Sequence, residues 1–204
     1  MDFLPLFLFK NFWYNVNINL KLQFMNAVKF FIEFLKDPQI GALTPSSKYF
    51  VRDVIKRMPL ENAETVVEYG AGEGVVTRGM LKKMPEGSKL IAIDTNPELV
   101  KSLKKINDSR LEIFHGKVQE FIIKRKEKSV DCAISGIPFT YLAPKEKEYI
   151  LAHTAKILKP DGVFVVYQFN PLIGKFLKKY FKVAKEELVL SNWPLYTIFT
   201  CRPR

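Results

Sequence analysis

The sequence predicts an α/β fold, a mostly parallel sheet with helices on both faces and an antiparallel hairpin at its C-terminal end. Three observations carry that expectation. Short apolar runs rich in β-branched and aromatic residues alternate with helix-like stretches from Thr65 to Phe169. A glycine turn, Gly70-Ala71-Gly72-Glu73-Gly74, joins the first run to the first helix-like stretch. The last two runs are separated only by Ser191-Asn192-Trp193-Pro194, which suits a hairpin and is too short for a parallel crossover.

Taken in order, the chain opens on an unusual density of aromatics: Phe3, Phe7, Phe9, Phe12, Trp13, Tyr14 and Phe24. Residues 25–36 read as a short, very hydrophobic helix that Asp37-Pro38 ends, since the residue before proline is pushed out of the helical region. Gly41 to Ser47 is a loop with an N-cap signal, leading to a helix from Lys48 to about Arg57. The strands expected next are Thr65–Tyr69, Lys89–Ile93, Leu111–His115, Val130–Ser135 and Val163–Phe169. Between them fall helices at Val75–Met84, Pro97–Ile106, Val118–Lys124 and Lys145–Leu158. A basic helix, Pro171–Tyr180, precedes the hairpin strands Ala184–Leu190 and Leu195–Cys201. This pattern divides the chain into an N-terminal hydrophobic helical extension, residues 1–48, expected to act as a lid or to associate with membrane, and a core domain, residues 49–204. Met25 is an alternative start.

A hydrophobic fraction of 48% against 26% charged residues excludes disorder. Lys and Arg outnumber Asp and Glu by 32 to 21, so the net charge of +11 points to an anionic partner, nucleic acid or an anionic membrane surface. No apolar run reaches the roughly 18–20 residues of a membrane-spanning helix. The run from Phe3 to Phe9 is broken by Pro5 and lacks a basic start and a small-residue cleavage site, which argues against a signal peptide. Cys132 and Cys201 both fall in apolar runs and are expected to be reduced core residues, in keeping with a reducing cytoplasm. His115 and His153 read as structural, and no metal site is visible.

The candidate site follows from what ends each strand, because ligands of such sheets bind beyond the carboxyl ends at the switch in strand order. Glu68, Gly70, Ala71, Gly72 and Gly74 end the first strand. A dinucleotide fingerprint would need glycine at position 75, where Val75 stands, so the segment instead resembles motif I of class I S-adenosylmethionine (SAM)-dependent methyltransferases. Asp94 and Thr95 end the second strand about twenty residues beyond the turn, where a carboxylate suits ribose hydroxyls. Lys117 and Val118 follow the third strand, near the adenine, where their backbone groups would serve. A carboxylate buried beside three glycines is costly without a partner, so Glu68 is expected in a network holding the methionine portion.

The fourth strand ends Ser135-Gly136-Ile137-Pro138-Phe139-Thr140-Tyr141. Enzymes that methylate amino groups of nucleic acids commonly place Asn or Asp at the position of Gly136, and the missing side chain weighs against that acceptor. Residues 34–47, motif I, Ser135-Gly136-Ile137-Pro138-Phe139 and Asn192-Trp193-Pro194 together resemble bacterial phospholipid N-methyltransferases over residues 25–204. That resemblance implies a Rossmann-like class I methyltransferase with a mostly parallel seven-stranded sheet. It also implies SAM as cofactor, phosphatidylethanolamine or a related amino phospholipid as acceptor, and a membrane-associated N-terminal helix. Ser46, Ser47 and Gly136 join the cofactor-binding set through the resemblance alone.

Phe139 and Tyr141 are the expected acceptor-positioning residues, through cation–π contact with the amine. On the helix 171–180, Ile173, Phe176, Leu177 and Tyr180 share one side with Lys175, Lys178 and Lys179 adjoining, which suits either an anionic lipid surface or packing on the sheet. An RNA adenine N6-methyltransferase related to the rRNA adenine dimethyltransferases, a protein lysine methyltransferase and a non-enzymatic SAM-binding module stay open.

Overall fold

The computed structural model describes residues 48–168, 170–189 and 196–204. The expectations for the N-terminal extension, for Ser46 and Ser47, and for Asn192-Trp193-Pro194 lie outside the described residues.

The described strands are β1 (Thr65–Tyr69), β2 (Lys89–Asp94), β3 (Leu111–His115), β4 (Val130–Ser135), β5 (Leu158–Gln168), β6 (Phe181–Val189) and β7 (Tyr196–Pro203). The helices are α1 (Lys48–Ile55), α2 (Val75–Leu81), α3 (Pro97–Leu103), α4 (Val118–Ile122), α5 (Pro144–Ile157) and α6 (Ile173–Tyr180). They build one seven-stranded sheet in the order β3-β2-β1-β4-β5-β7-β6. The first five strands in that order pair parallel, while β7 runs antiparallel to both β5 and β6. The fold class read from the sequence is the one observed.

Period-two alternation decides the layers. On β1, Val66 packs with Phe50 and Val54 of α1 and Val76 and Met80 of α2, whereas Val67 and Tyr69 face Phe121 of α4, Ile150 and Leu151 of α5 and Leu177 of α6. Leu103 of α3 packs on Ala92 and Ala71. Central strands must therefore be apolar on both faces, and Val66, Val67, Leu90, Ile91, Ala133 and Ile134 are all fully buried. Each of the Val, Leu and Ile side chains among them contributes roughly 1.5–3 kcal/mol of burial free energy.

Helix boundaries have local causes. The Asn96 side chain accepts from the Glu98 and Leu99 amides, and Pro97 occupies the first turn, where no backbone donor is needed. One boundary differs clearly from expectation. Strand β5 begins at Leu158, five residues before Val163, because Val130 pairs with Leu158 and a register shift between Val130 and Cys132 absorbs Pro160-Asp161-Gly162 within the strand. At Gly162 a Cβ would approach the Lys159 carbonyl oxygen to 2.8 Å, so the bulge requires glycine.

Candidate functional site at the carboxyl edge of the sheet

Strand β1 lies between β2 and β4, so the chain leaves the middle of the sheet in both directions and opens a crevice at the carboxyl ends. The glycine turn fills that point. Gly70, Gly72 and Gly74 all have positive φ, at 75°, 57° and 80°. Their surroundings separate their roles. A Cβ on Gly70 would meet Ile137 Cγ2 at 2.8 Å, and one on Gly74 would meet Ile106 Cδ1 at 2.7 Å, so both serve internal packing. Around Gly72 nothing lies within 4 Å of where a Cβ would stand. Its backbone therefore faces open space.

Asp94 ties β2 to this turn. Its Oδ2 accepts the Gly72 amide at 2.8 Å and its Oδ1 accepts the Asn96 amide at 2.9 Å. Each oxygen keeps lone-pair capacity for a ligand hydroxyl. The Asp94 carbonyl also accepts the Gly116 amide at 3.0 Å, which fixes the end of β3 alongside. Thr95 is exposed, and its carbonyl oxygen lies 3.2 Å from His115 Nε2. Ala71 and Val118 are buried, while Lys117 is exposed.

Glu68 is 2% exposed, and the Thr77 hydroxyl donates to its Oε2 at 2.5 Å. Burial pushes its carboxyl up to about 8, against the lowering effect of the Thr77 bond and with a further push from Asp94. At neutral pH the site thus sets a protonated Glu68, held by Thr77, beside Asp94, which is held by the Gly72 and Asn96 amides. Thr77 was not singled out from the sequence, where it reads as an ordinary residue of α2.

On the other side of β1, the Gly136 amide donates to the Tyr69 carbonyl at 2.9 Å. Ser135 is fully buried with an unpartnered Oγ, and it lies on the sheet face of Tyr69 and Ala133, so its side chain is not open to the crevice. Gln168, 4% exposed, clamps the following loop: its Oε1 accepts the Phe139 amide at 3.2 Å and its Nε2 donates to the Ile137 carbonyl at 2.8 Å. Phe139 is fully buried in the core cluster with Ile150 and Leu151, so its ring has no face toward an acceptor, contrary to the sequence expectation. Tyr141 is 54% exposed at the end of the same turn. The structure thus brings together Glu68, the three glycines, Asp94, Thr95, Lys117, Val118 and Gly136, and separates Phe139 from them. Tyr167 and Gln168 escaped sequence reading, although a polar pair closing an apolar strand marks a strand end at the crevice.

A cavity of about 470 Å³ lined by Glu64, Lys89, Arg125 and Ser129 opens at the opposite, amino-terminal edge of the sheet. Cys132 and Cys201 are buried and unpaired, with burial pushing both thiols up to about 12.

The arrangement fits SAM. Open space at Gly72 admits a ligand against backbone, and Asp94 offers a carboxylate to ribose. Comparison with known proteins agrees. Residues 66–162 match the family model described as a methyltransferase domain. The ornithine lipid N-methyltransferase of Singulisphaera acidiphila is 26% identical over 170 residues, covering 80% of this chain and 88% of that protein. A protein of Mycobacteroides abscessus, named only provisionally as an O-methyltransferase, is 30% identical over 136 residues, but the chain covers only 56% of its length. Among solved structures, the 1,6-didemethyltoxoflavin-N1-methyltransferase of Burkholderia thailandensis, with S-adenosylhomocysteine bound, shares the fold at a TM-score of 0.65 and 17% identity. That match covers 92% of this chain and 91% of that one. The chain therefore carries a methyltransferase domain and is an S-adenosylmethionine-dependent methyltransferase of class I fold.

Proposed function

We propose that this enzyme methylates the amine of an amino phospholipid, phosphatidylethanolamine or a related amino lipid, at a membrane surface. The observation that carries the reading is the near end-to-end match to an ornithine lipid N-methyltransferase, 80% of this chain against 88% of that protein. The acceptor loop agrees with it, since Gly136 offers no side chain to receive a nucleobase amino group. Net charge of +11 favours an anionic surface.

In this reading Asp94 and Thr95 hold the ribose, and the backbones of Lys117 and Val118 border the adenine. Gly70, Ala71, Gly72 and Gly74 let the ligand lie against the chain. Glu68 faces the methionine portion, with the backbone of Ser135 and Gly136 completing the crevice and Ser46 and Ser47 bordering it. When bound, SAM supplies an activated methyl group on a positively charged sulfur. The protein's task is to desolvate and aim the acceptor amine, whose reference pKa of roughly 10.4 must fall for the lone pair to be free. Tyr141 stands at the rim of the acceptor loop, and residues 1–48 form a membrane-associating extension. No helix among the described residues is long and apolar enough to cross a membrane.

The test is incubation with methyl-labelled SAM and, separately, phosphatidylethanolamine vesicles, an ornithine lipid, RNA and a lysine peptide. Label is expected in lipid. Label confined to RNA or peptide overturns the proposal.

A further inference from the structure

Strand register places one unassigned side chain at the acceptor side of the crevice. Tyr69 pairs with Ser135, and Ser135 with Val166, so the next row brings Gly70, Gly136 and Tyr167 to one level. A Cβ built on Gly136 would overlap the Tyr167 hydroxyl oxygen and stand 2.7 Å from Tyr167 Cζ. The phenol therefore occupies the very position from which a side chain at residue 136 would reach the acceptor. Its ring is fixed there, edge-on to Phe50 at 5.3 Å and to Tyr196 at 5.9 Å. Val66 and Val165 belong to one core cluster, with Tyr167 packed against it, so alternation puts Glu68 and Tyr167 on the same face of the sheet. Tyr167 is only half-buried, and its hydroxyl makes no hydrogen bond among the described residues. A polar tip so placed, without an internal partner, is available to a ligand.

We propose that the Tyr167 hydroxyl receives the acceptor amine, accepting a hydrogen bond from an N–H of the neutral amine so that the nitrogen lone pair faces the methyl group. The proposal rests on the amino-lipid reading above. It assigns to Tyr167 the work that Asn or Asp would do from position 136. In the transfer, the nitrogen lone pair forms the new N–C bond, the C–S bond breaks with its electrons going to sulfur, and the methylated nitrogen then releases one proton to solvent. Burial and the nearby Glu68 push the phenol well above its ordinary range, so it stays neutral and acts as a hydrogen-bond partner rather than as a base.

The number of N–H bonds gives the proposal a signature. Primary and secondary amines each keep an N–H for Tyr167 once the lone pair is aimed, whereas a tertiary amine has none. Tyr167→Phe deletes only the oxygen and leaves no buried group unpaired, so folding is expected to be unaffected.

The experiment compares wild type and Tyr167→Phe on phosphatidylethanolamine and on its dimethylated form, each in vesicles with SAM. It adds titration of a soluble short-chain phosphatidylethanolamine into the S-adenosylhomocysteine-bound protein. The expected result is a fall of about tenfold in kcat on the unmethylated lipid, the worth of one neutral hydrogen bond, and little change on the dimethylated one. Amine binding in the titration should weaken by a similar factor, with S-adenosylhomocysteine affinity and Tm unchanged. An active wild type with an equally active Tyr167→Phe overturns the assignment of Tyr167 alone. Equal losses on both lipids overturn it too, since an N–H partner cannot act on a tertiary amine. A wild type inert on both lipids overturns the amino-lipid reading, and with it the amine that Tyr167 would hold.

Discussion

The Gly72 amide donates to Asp94 Oδ2 at 2.8 Å, joining the turn after β1 to the end of β2 across twenty-two residues of chain. The same carboxylate accepts the Asn96 amide at 2.9 Å. Asp94 therefore shapes the crevice, and in the proposed reading it also holds the ribose. Asp94→Ala removes two charge-assisted bonds and the proposed ribose contact, and should raise the SAM Kd by about tenfold to a hundredfold. Asp94→Asn keeps one oxygen for a backbone amide and should fall between. Calorimetric titration orders the three proteins, and equal affinities would remove Asp94 from the cofactor site.

The glycines of the turn should fail in different ways. At Gly72 an added methyl meets open space, so Gly72→Ala loses about 1–2 kcal/mol to left-handed strain but chiefly obstructs the ligand. At Gly74 the methyl also collides with Ile106 Cδ1 at 2.7 Å and Leu103 Cδ2 at 2.9 Å, adding about 1–3 kcal/mol of overpacking. Thermal unfolding should rank Gly74→Ala below Gly72→Ala, and SAM binding by the folded fraction should rank them the other way. A Gly72→Ala variant with undiminished SAM affinity would place the cofactor elsewhere.

Glu68 makes stability depend on pH in a defined window. Burial raises its folded-state value to about 8 from an ordinary 4.5. Between these values the unfolded chain gives up the proton and the folded protein keeps it. The stabilisation is thus complete below about 4.5 and is lost as pH rises toward about 8, at up to about 1.4 kcal/mol per pH unit. Glu68→Gln keeps the size and a hydrogen-bond acceptor for Thr77 without titrating. Its denaturant-unfolding stability should be flatter than wild type across this window, and the two curves should diverge most near the upper end. Parallel curves would mean that Glu68 is ionised in the folded protein.

What the sequence revealed and what it hid follow from range of interaction. Residues 65–74 and Asp94 were legible because a strand, a glycine turn and the end of the next strand lie within one short βαβ unit, where each signal is local. Tyr167 was not. Its meaning comes from adjacency to Gly136, thirty-one residues earlier and just past β4, and only sheet register creates that contact. The early start of β5 was hidden because Pro160-Asp161-Gly162 reads as a turn until pairing with β4 tolerates it as a bulge. For α6, amphipathy was correctly apparent, but periodicity alone cannot say what the apolar face meets. Ile173 and Leu177 turn out to be buried in the core with Phe199 and Phe181, leaving the lysines outward.

Those lysines supply a test of membrane attraction that leaves the core intact. Lys175 and Lys178 are exposed on α6, whereas Lys179 is held by Glu148 at 2.8 Å and is better left alone. Exposed Leu172, at 61%, adjoins the start of α6 and adds apolar surface there. A lysine near an anionic bilayer contributes about 1 kcal/mol, so Lys175→Gln with Lys178→Gln should weaken binding to anionic vesicles by roughly tenfold to thirtyfold. Binding to uncharged vesicles should change little, and Tm should hold because neither side chain is buried. Raising salt should shrink the difference between the proteins, since the Debye length falls to about 3 Å at 1 M. If co-sedimentation with anionic vesicles is the same for both, α6 does not face the bilayer, and any attraction must arise elsewhere on the chain.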